Sequence, residues 1–166
     1  MRAFSAARRV ALAVLLVGAA VHPAPAQDGG GQAAAPNWTV NCSGAAGQAE
    51  LTCTLSQALY VKDKGQRVLT AVVTKKAGKS VLNLGLPHGL DLPKGVDVWI
   101  DDAQRRNHPI ATADQKGSYA IVAMDDAMLA AMRKGKVLNV AIKAYSGDEV
   151  ILQLSLTGFS AGYARL

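Results

Sequence analysis

The stretch Leu84-Gly-Leu-Pro-His-Gly-Leu-Asp-Leu-Pro-Lys-Gly-Val-Asp-Val-Trp-Ile-Asp-Asp102 constrains the fold more than any other. Alternating leucines run into Pro87, and turns follow at Gly89 and at Pro93-Lys-Gly95. Alternation then resumes, with Val96, Val98 and Ile100 on one side and Asp97, Trp99 and Asp101 on the other. Proline fixes φ near the value a turn needs, and glycine supplies the positive φ that other residues resist. The segment therefore reads as strand, two turns, strand, and points to a compact β-domain.

The rest of the chain repeats that grammar. Trp38, Val40 and Cys42 alternate with Thr39 and Asn41, and Leu51, Cys53 and Leu55 alternate with Thr52 and Thr54. Val68–Thr74 is β-branched, Ala77-Gly78 is a turn, and Val81–Leu86 is the next strand. A short strand over His108–Thr112 is weakened by Pro109, and Tyr119–Ala123 forms another. Val137–Tyr145 and Glu149–Leu156 make a hairpin around Ser146-Gly-Asp148. Gly158–Leu166 reads as a short helix or a strand. One helix stands out: Met124, Ala127, Met128, Ala131 and Met132 recur at helical spacing. Asp125 is placed to cap it, Arg133 and Lys134 suit its C-terminal end, and Gly135 suits a left-handed stop. The methionines read as core packing, not as a soft-metal site. These patterns predict an all-β, antiparallel sandwich or barrel-like domain with one short helix near 125–134.

The first residues read as a removable leader. Arg2, Arg8 and Arg9 precede an apolar run, Val10–Val21, that is too short to span a bilayer. Ala24-Pro-Ala26 fits a small-x-small cleavage site, so residues 1–26 are a signal peptide and Gln27 begins the mature chain. Residues 27–37 are rich in Gly, Ala, Pro and Gln and form a flexible lead-in; residues 38–166 form a single domain. The expected location is periplasmic or secreted, with no membrane span in the mature chain. Of 18 basic residues three lie in the leader, which leaves 15 against 12 acidic ones. The remaining basic residues are scattered, unlike the one-faced cluster of a nucleic-acid binder. Both cysteines, Cys42 and Cys53, fall in the mature part on the apolar side of their strands, joined through Gly44-Ala-Ala-Gly47. An even count in an exported chain predicts a disulfide between them.

Most motifs of chemistry fail on context. Gly158-Phe-Ser-Ala-Gly162 matches a nucleophile elbow, but no acid or histidine follows Ser160. Gly78-Lys-Ser80 resembles the end of a phosphate loop, yet Val73 stands where its first glycine belongs. His88 with Asp91, and His108 with Asp101 or Asp102, fall short of the three or four ligands zinc requires. Asn37-Trp-Thr39 and Asn41-Cys-Ser43 fit glycosylation sequons, which the bacterial character of the leader discounts. No catalytic residue, metal or cofactor is assigned. Trp99 is the single residue singled out as a partner-binding candidate, because alternation turns it away from the apolar face. The competing reading gives it to a second packed layer.

Five segments together resemble the invasion-associated locus B family of exported bacterial proteins. They are Trp38-x3-Cys42; Cys53-x3-Gln57; Leu86-Pro-His-Gly-Leu90 with Gly95-Val96 and Ile100-Asp101; Gly117-x-Tyr119-Ala120; and Leu154-Ser-Leu-Thr-Gly-Phe159. The set runs in order through nearly all of the mature chain. The family pattern also carries a second cysteine pair, and here Ala113 and Ser118 stand at those positions. The resemblance implies a periplasmic or surface-associated protein, linked in some members to entry into host cells, and no catalytic residues. The expected function is a non-enzymatic envelope protein that binds an unidentified envelope or host protein. A small periplasmic enzyme such as a hydrolase is the alternative, and it would need His88 or His108 facing a carboxylate in a cleft.

Overall fold

A computed structural model of the chain describes residues 37–44 and 51–166. The leader, nearly all of the lead-in and most of the first connection lie outside the described residues. Among the described residues ten strands and two short α-helices follow one another, with a single 3-10 turn over Leu92–Lys94: β1 (Thr39–Ser43), β2 (Thr52–Tyr60), β3 (Arg67–Lys76), β4 (Lys79–Leu86), β5 (Val96–Ile100), β6 (Arg106–His108), β7 (Ile110–Asp114), β8 (Gly117–Met124), α1 (Asp126–Lys134), β9 (Val137–Lys143), β10 (Glu149–Ser155) and α2 (Phe159–Tyr163). They form a six-stranded sheet, β1-β2-β3-β4-β8-β7, and a four-stranded sheet, β10-β9-β5-β6. Every pairing is antiparallel. The expected all-β architecture with a helix near 125–134 is what the chain adopts.

The core lies between the two sheets. Leu55, Leu69, Val73, Leu82, Leu84 and Val122 from the larger sheet meet Val98, Leu138, Val140 and Leu154 from the smaller. Each is buried because strand side chains alternate, so every second apolar residue faces inward. The terminal segment resolves as the helix α2. Its Phe159 is fully buried, edge-on to Trp38 at 5.2 Å and stacked on Tyr163 at 5.8 Å. The Trp38 indole N–H donates to the Ser155 carbonyl at 2.8 Å, which ties the start of the domain to its end.

The stretch 84–102 is the crossing between sheets, since β4 belongs to one and β5 to the other. It is fastened on the way. The Asp91 N–H donates to the Lys143 carbonyl at 2.9 Å, and the Tyr145 N–H to the Gly89 carbonyl at 2.8 Å. Gly95 has φ +67, and a Cβ there would stand 2.4 Å from the His108 carbonyl oxygen, so only glycine fits. The strand expected over His108–Thr112 is divided at Pro109. Its halves, β6 and β7, pair in different sheets.

Helix α1 begins as expected: the Asp125 carboxylate accepts the Met128 N–H at 2.7 Å. Its end corrects the sequence reading. Gly135 is extended, φ −73 and ψ 171, not left-handed. Glycine is needed there for space, because a Cβ would lie 2.4 Å from Ile100 Cγ2 and 2.8 Å from the Ala131 carbonyl oxygen.

Cys42 and Cys53 are directly paired across β1 and β2 and form a disulfide. Ala113 and Ser118 are likewise directly opposed, across β7 and β8.

Candidate functional site

The outward face of the four-stranded sheet carries the residue that alternation singled out. Trp99 is half-buried on β5, while its neighbour Val98 is buried in the core. Opposite Trp99 on β9 stands Asn139, and opposite Asn139 on β10 stands Gln153, so the three form one row across the sheet. Asn139 is buried and satisfied: it accepts from the Gln153 amide at 2.9 Å and donates to the Asp101 carbonyl at 3.2 Å. The row is thereby fixed in register beside the indole.

Arg105 completes the face. Its guanidinium carbon lies 4.3 Å from the centroid of the Trp99 ring, within the range of a cation–π contact. The same guanidinium donates to Glu149 at 3.1 Å and lies 3.9 Å from Asp97. Asp97 also accepts from the Asn107 amide at 2.8 Å, which holds β6 alongside. Trp99 is therefore neither bare nor sealed beneath a second layer. One charged side chain lies over it, steadied by two carboxylates, and ion pairs this exposed hold only weakly in water.

Beside this face lies a cavity of about 170 Å³ bordered by Trp99, Ile100, Arg106, His108 and Met128. Burial, and after it the Arg106 charge, push the His108 imidazole below its ordinary pKa; Asp97 pulls weakly the other way. No carboxylate lines that cavity. His88 is exposed in the crossing between sheets.

The other sequence candidates fall elsewhere. Ser160 sits on α2 and donates to the Arg133 carbonyl at 2.9 Å, so its hydroxyl serves helix docking. The Ser80 hydroxyl is buried and bonded to that of Tyr163. Among the described residues no three His, Cys, Asp or Glu side chains gather as a metal site, and no helix is long and apolar enough to cross a membrane. Arg105 was missed in the sequence. Its only signal was that it follows the strand bearing Trp99 by a turn's length, and turn lengths do not disclose where a long side chain lands.

The comparisons with known proteins agree with the fold. Residues 38–166 match the family model described as invasion associated locus B (IalB) protein. An invasion protein B homolog of Brucella abortus (strain 2308) is 37% identical over 133 residues, covering 78% of this chain and 75% of that protein. A homolog from Brucella abortus biovar 1 (strain 9-941) matches to the same extent. The crystal structure of invasion associated protein B from Bartonella henselae superposes with a TM-score of 0.71 at 25% identity, covering 78% of this chain and 90% of that one. With its two antiparallel sheets, its β1–β2 disulfide and a match over the whole described domain, the chain belongs to the invasion-associated locus B family.

Proposed function

We propose that this chain is an exported, non-enzymatic envelope protein that binds a partner protein through the outer face of its four-stranded sheet. The observation that carries the reading is the Trp99–Arg105 pair, held on an otherwise hydrogen-bonded sheet face. Tryptophan and arginine dominate binding hot spots because each brings large area and directed polarity to one spot. Here they already stack on each other, so a partner would meet the two side chains side by side. Ile151, on β10 of the same sheet, is 45% exposed and extends the apolar area. The relatives are named for invasion, and a role in entry into host cells belongs to the same proposal.

Crosslinking in intact cells tests it. A photoreactive residue placed at Gln153 is expected to capture a discrete protein, and Trp99→Ala is expected to abolish the capture while shifting Tm by only a few degrees. Capture that survives Trp99→Ala would overturn the indole as anchor, and a variant that no longer folds would assign Trp99 to packing.

A further inference from the structure

The opposite surface of the molecule, the outer face of the six-stranded sheet, holds a second feature. A cavity of about 390 Å³ opens where β3 begins and β4 ends. Its floor is the row Thr70–Gly85–Tyr119, residues directly opposed on β3, β4 and β8. Glycine in mid-strand is costly to order and packs nothing, so it marks either a bend or a close approach. Nothing in the fold demands it at this position. The φ of Gly85 lies outside the left-handed region, and a Cβ would meet only the Tyr119 ring at 3.6 Å and Thr70 Cβ at 3.7 Å, ordinary contacts. What the missing side chain does is leave the space open.

The chemistry around that space is one-sided. Arg67 and Lys116 stand at its border, and no carboxylate lines it. Among the described residues neither cation has an ion-pair partner. The neighbouring acid Asp114, on which the Lys116 charge acts, has its Oδ1 committed to the Tyr119 hydroxyl at 3.0 Å and to the Lys116 backbone N–H at 2.7 Å. The Thr70 hydroxyl oxygen is buried and has no hydrogen-bond partner in the protein. Buried polar atoms are nearly always paired, so this hydroxyl is a polar group beneath the cavity floor that the fold itself does not use.

We propose that this cavity binds a small organic anion: a carboxylate or phosphate head between Arg67 and Lys116, and a flat apolar body over Gly85 against the Tyr119 ring. Guanidinium and ammonium groups recognise either head, and the aromatic wall and Val72 favour an apolar body. The site is independent of the Trp99 face and lies on the other sheet.

Amide NMR titration of the folded protein tests it with benzoate, phenyl phosphate and the neutral benzamide. Saturable shifts confined to the amides around Thr70, Gly85 and Lys116, produced by either anion and not by benzamide, are the expected result, and the stronger anion names the head. Arg67→Gln is expected to weaken binding by about tenfold or more, as loss of a charge-assisted contact does. Gly85→Ala, which the backbone accommodates, is expected to weaken it while Tm holds or rises. Absence of saturation with both anions, equal response to benzamide, or insensitivity to Arg67→Gln would overturn the proposal.

Discussion

Asp101 and Val137 exchange two hydrogen bonds of 2.9 Å: the Asp101 N–H donates to the Val137 carbonyl, and the Val137 N–H donates to Asp101 Oδ1. The same carboxylate accepts the Lys136 N–H at 3.0 Å. Asp101 has φ +49, a conformation that aspartate tolerates better than most residues. It thus clamps the end of β5 to the start of β9, directly behind Trp99. Asp101→Ala loses the side-chain acceptor and keeps the strained backbone, so it is expected to lower stability by about 1–2 kcal/mol. Asp101→Asn keeps an acceptor oxygen and should lose less than half of that, measured by urea denaturation.

Gly135→Ala is the harsher change, although its backbone conformation suits any residue. The added methyl must displace Ile100 Cγ2 and the Ala131 carbonyl. Overpacking of this kind costs roughly 1–3 kcal/mol. In a double-mutant cycle, Gly135→Ala should cost less in an Ile100→Ala background than in the parent, yet not nothing, because the clash with the carbonyl remains. Thermal denaturation of the two variants checks the order.

The two positions at which the family pattern has cysteines offer a constructive experiment. Ala113 and Ser118 oppose each other as Cys42 and Cys53 do. Ala113→Cys with Ser118→Cys is expected to oxidise spontaneously and to raise stability by about 2 kcal/mol, the loop-entropy figure for so short a loop. Replacing both native cysteines by serine should lower it by roughly 2–3 kcal/mol. Thiol titration should find no reactive sulfhydryl in the oxidised parent.

Acid should act in two windows, through the depressed carboxyls of Asp114 and Asp125 in the lower one and through His108 in the higher. The Asp125 carboxyl is held below the ordinary carboxylate value, first by the Met128 N–H and then by the Arg106 side chain. A depressed folded-state carboxyl contributes stability that is complete above its unfolded pKa of about 4 and is lost as pH falls through the folded one. His108 is a base with a depressed folded pKa, chiefly through burial. Folding favours its neutral form, so stability begins to fall as pH drops below about 6.5 and the unfolded chain takes the proton first. His108→Gln should flatten the slope just below pH 6.5. Asp125→Asn, which still caps α1, should flatten only the arm below about pH 4. Urea midpoints across that range distinguish the two.

The elements were legible because strand alternation and helix capping are local. Leu82, Leu84 and Leu86 face inward as their spacing implies, and Asp125 caps α1 as its position implies. Partition between sheets was not legible: nothing near Pro109 says that His108 and Ile110 belong to different layers. Gly135 shows the same limit. Its place after Lys134 suggests a left-handed helix stop, and the tightest approach that excludes a side chain there comes from Ile100, 35 positions earlier in the chain. The Trp99 face was half legible, since alternation turned the indole outward but could not place Arg105 over it. Thr70, Gly85 and Tyr119 come from three strands and meet only through register.

The bond from the Trp38 indole to the Ser155 carbonyl joins positions 117 apart. Phe159, which seals the same region, lies further along the chain still. The inner leucines of β2, β3 and β4 therefore lack part of their cover until both ends of the domain meet. Apolar surface left open in that way is adhesive, so a chain cut short of Phe159 is expected to clump before it folds.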